Sequence, residues 1–256
     1  MNMNLDELLK TAKKAALAAG AEILRIYESS DFSIEAKADD SPLTLADKAA
    51  HNKIVSYLEE TELPILSEEG RDIPYKERKN WEYFWLVDPL DGTKEFIKKN
   101  GEFTVNIALI HMGKPIMGVV YPPVLGEMFW GVKEKGAFKE KNGKVEKINT
   151  TKKSLDESGL RVVASRSHMS KETEEFVSRL DKPEVVSRGS SLKFLLVASG
   201  EADVYPRFGP TMEWDTAAAH AIVSEAGGNV TLEDQSTPLS YNKMNLLNPY
   251  FIVLPR

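Results

Sequence analysis

Four apolar segments of strand length follow one another between residues 83 and 132, and this run constrains the fold more than any other feature. Turns at Met112-Gly113-Lys114 and around Gly126 join the later segments. Strands joined by such short turns pair in an antiparallel arrangement, because parallel neighbours need a crossover of about a dozen residues or more. The middle of the chain therefore predicts a mostly antiparallel sheet. Its strands are expected over 83–87, 103–111, 115–121 and 128–132.

Helical patterns precede this sheet. Apolar residues recur at helical spacing over 5–28 and predict an amphipathic helix. Ala46, Ala50, Ile54 and Leu58 repeat the pattern, and Thr44 is the expected N-cap of this second helix. Helices on this scale bury their apolar stripe against a sheet or another helix. We therefore expect the helices to be layered against sheets.

The last third of the chain alternates strand-like and helix-like segments. Before it, the lysine-rich stretch 133–153 predicts a solvated hairpin and linker that turns at Asn142-Gly143. Strand–helix alternation favours an α/β layer, so the fold class is a mixture of α+β and α/β with helices layered against two sheets. We expect two halves, 1–155 and 156–256. The expected strands are 160–164, 184–187, 202–205 and 251–254, and the expected helices are 170–181, 190–199 and 213–226.

The composition excludes several classes of protein. The chain has 256 residues and a formal charge of −6, and a net acidic protein is a poor partner for a nucleic acid polymer. No apolar run approaches the roughly 20 residues that a membrane span needs. Without cysteine there are no disulfides, no thiolate metal sites and no thiol nucleophile. The first residues lack the layout of a signal peptide, and we expect a cytoplasmic protein.

The sequence Trp85-Leu86-Val87-Asp88-Pro89-Leu90-Asp91-Gly92-Thr93 carries the clearest chemical signal. An apolar strand delivers two carboxylates, Asp88 and Asp91, into a turn that bends at Gly92. Two carboxylates that converge repel each other unless a cation lies between them. Hard cations such as Mg²⁺ take these oxygens and also a backbone carbonyl such as that of Leu90. The alternative is an ordinary solvated Asp-Gly turn, but such turns seldom follow five apolar residues.

Two further acidic segments have a similar setting. Ser67-Glu68-Glu69 follows a short apolar segment, and Asp215 opens a helix of small residues. Asp215 also suits the role of a helix N-cap, and Thr44 with Asp47 suits a capping box. The sequence leaves these structural alternatives open for each position by itself. Several carboxylates at strand ends and helix starts of one chain favour a shared metal site.

These motifs together resemble the inositol monophosphatase superfamily of metal-dependent, lithium-sensitive phosphatases. The resemblance covers essentially the whole chain and rests on T-x-A-D at 44–47, S-E-E at 67–69, D-P-L-D-G-T at 88–93 and W-D-T-A-A at 214–218. It implies the layered α-β-α-β-α sandwich of the sugar phosphatases. Further motifs resemble the 3′(2′),5′-bisphosphate nucleotidase branch, CysQ type. They are D-G-T-K-E-F at 91–96, S-R-S-H at 165–168, G-S-S-L-K-F at 189–194 and Y-P-R-F-G-P-T-x-E-W-D at 205–215.

The resemblance implies a role for each matched residue. Two or three Mg²⁺ ions are expected on Glu68, Asp88, the Leu90 carbonyl, Asp91 and Asp215. Asp47 and Thr93 are expected to orient the attacking water, with Glu68 on the catalytic ion. Ala219 departs from the family, which usually has glycine there.

The substrate is expected to extend into the second half of the chain. Ser165, Arg166 and His168 follow a predicted strand, where α/β sheets place ligands. Lys193 and Arg207 are candidates for binding a phosphate that is not cleaved. Asp91, Gly92, Thr93, Ser191 and Asp215 complete the expected substrate-binding set. The implied reaction removes the 3′-phosphate of 3′-phosphoadenosine 5′-phosphate to give AMP, with the 5′-phosphosulfate as a further candidate substrate.

Other functions remain open at this point. Phosphatases with an aspartyl nucleophile carry D-x-D-G-T, whereas the spacing here is D-x-x-D-G-T. An inositol monophosphatase or a sugar bisphosphatase of the same superfamily is the main alternative, and a base-specific pocket around 165–168 distinguishes them. A non-catalytic metal or nucleotide sensor is a different class, which the presence of Asp47, Glu68 and Thr93 disfavours. Peripheral membrane association and the oligomeric state also remain open.

Overall fold

The structure is a computed structural model that describes residues 3–29, 42–164 and 169–256. Within these ranges the chain forms seven α-helices and twelve β-strands. The helices are α1 (Leu5–Ser29), α2 (Pro42–Leu58), α3 (Tyr75–Arg78), α4 (Thr93–Ile97), α5 (Lys171–Ser178), α6 (Leu192–Ala198) and α7 (Glu213–Glu225). The strands are β1 (Ile65–Ser67), β2 (Tyr83–Asp91), β3 (Thr104–His111), β4 (Lys114–Tyr121), β5 (Glu127–Val132), β6 (Gly136–Lys141), β7 (Lys144–Ile148), β8 (Arg161–Val163), β9 (Glu184–Val186), β10 (Tyr205–Arg207), β11 (Gly228–Leu232) and β12 (Phe251–Pro255).

The first seven strands form one sheet in chain order, from β1 to β7. All neighbours are antiparallel except β1, which lies parallel to β2. The sheet from β2 to β5 confirms the antiparallel prediction. The lysine-rich stretch forms the β6–β7 hairpin, and Asn142 and Gly143 lie in its turn with positive φ angles of 51° and 75°.

Both faces of this sheet are buried along its central strands, β2 to β5. On β3, Val105, Ile107 and Leu109 belong to one apolar core, in which α1 and α2 cover the sheet. Ala108 and Ile110 belong to a second core on the opposite face, shared with α6 and α7. Successive residues of a strand point to opposite faces, so an almost continuous apolar run is what a sheet covered on both sides requires.

Two further layers complete the molecule. The strands β10, β12 and β11 form a three-stranded sheet, and β8 pairs with β9 beside it. Helices α6 and α7 lie between the two layers of strands, and their apolar side chains share a core with Phe251 and Val253 of β12. A third core, around Val162, Val204 and Ile252, packs against Phe176 of α5. The order α-β-α-β-α confirms the predicted layered fold.

Several element boundaries differ from the predictions. Helix α2 begins at Pro42, a residue type favoured at the first helical position, so Thr44 lies in its first turn and is not its N-cap. The strand predicted over 202–205 begins instead at Tyr205. The strand β11 was not predicted, because Gly228 and Asn229 disfavour a strand. The predicted division near residue 155 stays a prediction.

No helix in the described ranges is long and apolar enough to span a membrane.

Candidate active site

The predicted acidic turn lies at the end of β2, where the pairing with β3 is irregular. Asp88 pairs with Asn106 and Asp91 pairs with Thr104. Between these two pairs β2 advances by three residues and β3 by only two, so β2 contains one extra residue. In a regular strand, side chains three residues apart point to opposite faces. The extra residue between Asp88 and Asp91 changes this alternation and lets the two carboxylates converge. Gly92 then reverses the chain with a φ of 98°, and α4 begins at Thr93.

Carboxylate oxygens of Glu68, Asp88 and Asp215 lie within 4.8 Å of one another. Glu68 follows β1, and its backbone amide donates a hydrogen bond to the carbonyl of Val87 on the parallel strand β2 (3.1 Å). This bond places Glu68 beside Asp88, although the two residues are far apart along the chain. Asp88 is buried, and one of its oxygens accepts a hydrogen bond from the backbone amide of Leu90 (3.0 Å).

Asp215 reaches this cluster from the first turn of α7. The helix has Met212 as its N-cap, and Asp215 is the third helical residue. Its Oδ2 accepts a hydrogen bond from the Met212 backbone amide (2.8 Å). The N-cap interpretation of Asp215 is therefore wrong in position, but a capping interaction does exist. This interaction uses one carboxylate oxygen and orients the side chain at the helix start.

Four carboxyl groups of this site, those of Asp47, Glu68, Asp88 and Asp215, have raised pKa values. Burial and nearby carboxylates raise the pKa of Asp47 to about 8. Burial and the charge of Asp91 raise the pKa of Asp215 to about 7, and the same two causes raise the pKa of Asp88. Burial first, and then neighbouring carboxylates, also raise the pKa of Glu68. Each carboxylate makes it harder to ionise the next, because the cluster has too little positive charge nearby.

A divalent cation fits this donor set. Hard cations bind several carboxylate oxygens together, and their charge removes the repulsion that raises these pKa values. Asp91 lies near the cluster, since its charge acts on Glu68, Asp88 and Asp215. Asp47 lies close enough for its charge to act on Asp88. Since α2 begins at Pro42, Asp47 also has no part in a capping box at Thr44. The observed arrangement therefore supports a metal centre.

A polar cavity of about 350 Å³ opens beside the acidic cluster. Asp91 and Asp215 line it together with Gly92 and Thr93. Lys193 and Arg207 also line it, and they add positive charge next to the carboxylates. The remaining lining residues are Lys94, Glu95, Ser190, Ser191, Phe194, Tyr205 and Thr211.

Comparison with known proteins decides the family. The sequence model of the inositol monophosphatase family matches residues 4–250. The chain belongs to the inositol monophosphatase family. Among curated relatives, the 3′(2′),5′-bisphosphate nucleotidase CysQ of Escherichia coli (strain K12) is 47% identical over 254 residues, which span 97% of this chain and 98% of the relative. The enzyme of the same name from Haemophilus influenzae (strain Rd) is 33% identical over 253 residues, spanning 97% and 93% of the two chains.

Solved structures of inositol monophosphatase family members share the fold. The crystal structure of CysQ from Bacteroides thetaiotaomicron superimposes with a TM-score of 0.89 at 48% identity and covers 99% of both chains. An inositol monophosphatase from Zymomonas mobilis superimposes with a TM-score of 0.79 at 26% identity, covering 99% of this chain and 94% of that one. The predicted family resemblance is therefore confirmed.

The structure brings together much of the site that the family motifs predict. Glu68, Asp88 and Asp215 form the cluster, and Asp91 lies beside it. The roles of Asp47, Thr93 and the Leu90 carbonyl stay predictions. Ser165, Arg166 and His168 lie outside the described residues.

Five polar residues of the cavity were not in the predicted site, namely Lys94, Glu95, Ser190, Tyr205 and Thr211. Lys94 follows Thr93 directly in the first turn of α4, and Thr211 accepts a hydrogen bond from Arg207 Nε (2.6 Å). Tyr205 contributes its ring, and Lys193 Nζ lies 5.9 Å from the centre of that ring. Lys94 carried a signal, since it belongs to the D-G-T-K-E-F motif. Tyr205 and Thr211 carried a similar signal, since both belong to the motif at 205–215, but their contacts with Lys193 and Arg207 depend on the folded path of β10 and the loop after it.

Proposed function

We propose that this chain is a metal-dependent phosphatase that removes the 3′-phosphate of 3′-phosphoadenosine 5′-phosphate. The products are AMP and inorganic phosphate, and one water molecule is consumed. The relatives named 3′(2′),5′-bisphosphate nucleotidase support this substrate class. The 5′-phosphosulfate of the same nucleoside is a further candidate, because it carries the same 3′-phosphate.

One structural observation carries the proposal. Asp91 and Asp215 belong both to the acidic site and to the lining of the cavity, and Lys193 and Arg207 line the same cavity. A substrate in this cavity therefore meets carboxylates suited to metal ions and also two cationic side chains. A bisphosphate has one phosphate for each of these environments, whereas a simple monophosphate uses only the first. The arrangement thus favours a bisphosphate substrate.

Mg²⁺ is the proposed cofactor, with two or three ions bound. Glu68, Asp88, Asp91, Asp215 and the carbonyl of Leu90 are the proposed ligands. Divalent cations bound to such ligands lower the pKa of a coordinated water and neutralise charge on the phosphoryl oxygens.

The chain's own groups have three tasks in this proposal. Asp47 and Thr93 orient the attacking water, with the Thr93 hydroxyl as proton acceptor if its own proton moves toward Asp47. Gly92 and Thr93 border the reacting phosphate at the turn into α4. Arg207 is held in place for the second phosphate, because Nε donates to Thr211 and Nη2 donates to the Pro210 carbonyl (3.0 Å).

A neighbouring cavity of about 260 Å³ is the proposed nucleoside site. It shares Lys193, Tyr205 and Arg207 with the first cavity, so the two spaces meet at these side chains. Apolar residues such as Phe208 line its other side, which suits a flat base. Ala164 and Met169, which flank residues 165–168 in the sequence, also line this cavity. This position is consistent with a role of Ser165, Arg166 and His168 in substrate binding.

The two halves of the chain have different parts in this proposal. Residues 1–155 carry most of the metal ligands, and residues 156–256 carry the nucleoside site together with Asp215. A cytoplasmic location stays a prediction.

A phosphate-release assay tests the proposal. The substrates are 3′-phosphoadenosine 5′-phosphate, inositol monophosphate and fructose 1,6-bisphosphate, each with Mg²⁺ and with EDTA. We expect the highest kcat/KM for the nucleotide, no turnover in EDTA, recovery with Mg²⁺, and inhibition by Li⁺. Preference for inositol monophosphate or for the sugar bisphosphate would instead support a sister phosphatase. Binding of the nucleotide without any phosphate release would support a sensor.

A further inference from the structure

One oxygen of Asp91 is held by three hydrogen bonds from two consecutive serines. Oδ2 accepts from the Ser190 hydroxyl (2.5 Å), the Ser191 backbone amide (2.7 Å) and the Ser191 hydroxyl (2.8 Å). Among the described residues, no hydrogen bond goes to Oδ1 of Asp91. The serines come from the turn before α6, about a hundred residues further along the chain. They hold one oxygen of a proposed metal ligand and leave the other available.

The direction of these hydrogen bonds follows from proton counting. As a metal ligand the Asp91 carboxylate only accepts, so the Ser190 hydroxyl gives its single proton to Oδ2. The Ser191 hydroxyl lies within hydrogen-bond distance of two acceptors, Asp91 Oδ2 (2.8 Å) and the Asp215 carbonyl (3.1 Å), and its single proton goes to the nearer carboxylate oxygen. The Ser191 hydroxyl then accepts from the Asn106 side-chain amide (2.9 Å). The Ser190 hydroxyl accepts from the Thr104 hydroxyl (2.7 Å). Two chains of donors that begin on β3 therefore converge on one carboxylate oxygen.

Three residues of this network are buried, and Ser190 is half-buried. Thr104, Asn106 and Ser191 are each 1% exposed or less. Neutral polar groups at such depth keep their partners, since losing one leaves an unsatisfied group. The buried network therefore gives Asp91 a single orientation.

The backbone around Ser190 is shaped for this contact. Ser190 has a φ of 51°, in the left-handed region that residues other than glycine rarely adopt. The preceding amide, of Gly189, donates to the Glu102 carboxylate (2.7 Å). A Cβ at Gly92 would lie 3.2 Å from the Cβ of Ser190, so the loop that follows Asp91 is in contact with the turn that contains Ser190. A strained serine in contact with a ligand loop points to a role for its hydroxyl.

We propose that Ser190 and Ser191 are positioning residues for a divalent cation. They hold Oδ2 of Asp91 so that Oδ1 stays available to an ion bound at the acidic cluster. Partners of this kind, which orient a metal ligand without touching the metal, commonly affect metal affinity strongly. The role assigned to the ion rests on the proposed function, but the positioning itself is testable by metal binding alone.

The decisive variant is Ser190→Gly. Glycine adopts the left-handed conformation freely, so this change removes the hydroxyl without straining the backbone. Ser191→Ala removes the second hydroxyl and keeps the amide donor. Ser199→Ala is the matched control, because Ser199 ends the same helix and its hydroxyl donates to the Leu195 carbonyl (2.7 Å), away from the site. Calorimetric titration with MgCl₂, without substrate, gives the affinity, and thermal unfolding in EDTA gives the stability of the metal-free protein.

We expect Ser190→Gly to weaken Mg²⁺ binding by about ten- to a hundredfold while metal-free stability is retained. Ser191→Ala is expected to weaken binding in the same direction, and Ser199→Ala to leave it unchanged. Unchanged Mg²⁺ affinity in Ser190→Gly would overturn the proposal, whatever happens to Ser191→Ala. Lower metal-free stability with unchanged affinity would assign the serines to the fold alone. A protein that binds Mg²⁺ but hydrolyses none of the tested esters contradicts the proposed function and leaves this comparison valid.

Discussion

Gly118 on β4 lies against the backbone of Ala218 on α7. A Cβ at Gly118 would come 2.0 Å from the Ala218 carbonyl oxygen and 2.8 Å from its Cα. One strand away, a Cβ at Gly131 would come 2.8 Å from the Cα of Ile222. Helix α7 therefore packs with its backbone directly against the sheet at these two glycines. The same helix carries Asp215 at its first turn, so this contact sets the depth of a proposed metal ligand.

Gly118→Ala is therefore expected to reduce both stability and activity. The methyl group would overlap backbone atoms that no side-chain rotation can move, and overpacking of this kind costs about 1–3 kcal/mol or more. Urea unfolding measures the loss, and kcat/KM reports the displacement of Asp215. Gly143→Asn in the exposed β6–β7 turn is the control, because nothing lies within 4 Å and asparagine tolerates its φ of 75°. A Gly118→Ala protein as stable as the control would contradict the tight contact.

Much of the fold followed from local patterns in the sequence. The apolar alternation of β2 to β5 and the helical spacing of α1 and α7 survive in the structure because each apolar face is buried. The contact at Gly118 did not follow, since a glycine in a strand shows where something approaches closely but not what approaches. The strand β11 was missed because its residues favour a strand only through pairing with β12.

Part of the acidic site was likewise predictable from the sequence, and part was not. Asp88, Asp91 and Asp215 were predictable, because carboxylates directly after apolar strands or at helix starts carry a chemical signal. The irregular pairing at the end of β2 and the hydrogen bonds from Ser190 to Asp91 were not. Both depend on contacts between segments far apart in the chain, and a single sequence contains no record of such distances.

Asp91→Asn is expected to lower kcat by several orders of magnitude and leave the fold intact. The serine donors hold one side of this residue, so an asparagine would present either its NH₂ group to the metal or a mismatched donor to the serines. Losing a metal that stabilises transition-state charge has effects of about this scale. Asp72→Asn at an exposed position is the control. If kcat of the Asp91→Asn variant stays within tenfold of the wild-type value, Asp91 is not a metal ligand.

His220 makes the stability depend on pH. Burial lowers its pKa to about 3, and its Nδ1 lies 2.9 Å from the Tyr241 hydroxyl. In the unfolded chain, histidine titrates near its ordinary pKa of about 6.5. Below that pH the unfolded state therefore binds a proton that the folded state does not bind. The contribution of neutral His220 is complete above about pH 6.5 and is lost progressively as the pH falls toward 3. Acid therefore destabilises the protein through this residue.

The test compares wild type with His220→Gln, which keeps a polar partner for Tyr241 but does not titrate. Urea unfolding at pH 7 and pH 5, both in EDTA, gives two differences in free energy of unfolding. We expect the free energy of unfolding of the variant, relative to that of wild type, to be about 2 kcal/mol higher at pH 5 than at pH 7. Carboxylates that titrate elsewhere contribute equally to both proteins and cancel. A difference that stays constant between the two pH values would mean that His220 is protonated in the folded state.

Lys193→Met and Arg207→Met test how the substrate is selected. Among the described residues, Lys193 Nζ donates one long hydrogen bond, to the Ser190 carbonyl (3.3 Å), and an ammonium group has further N–H donors for a phosphate. If both side chains bind the uncleaved phosphate, each substitution removes binding energy remote from the reacting centre. The loss is expected at about 1.5–3 kcal/mol per charge-assisted contact, or roughly ten- to a hundredfold in kcat/KM for the bisphosphate. For a small monophosphate, which has no second phosphate, kcat/KM should be almost unchanged.

The measurement is kcat/KM for both variants on both kinds of substrate. Equal losses on both would show that Lys193 and Arg207 do not recognise the second phosphate, and would favour an inositol phosphate as substrate instead.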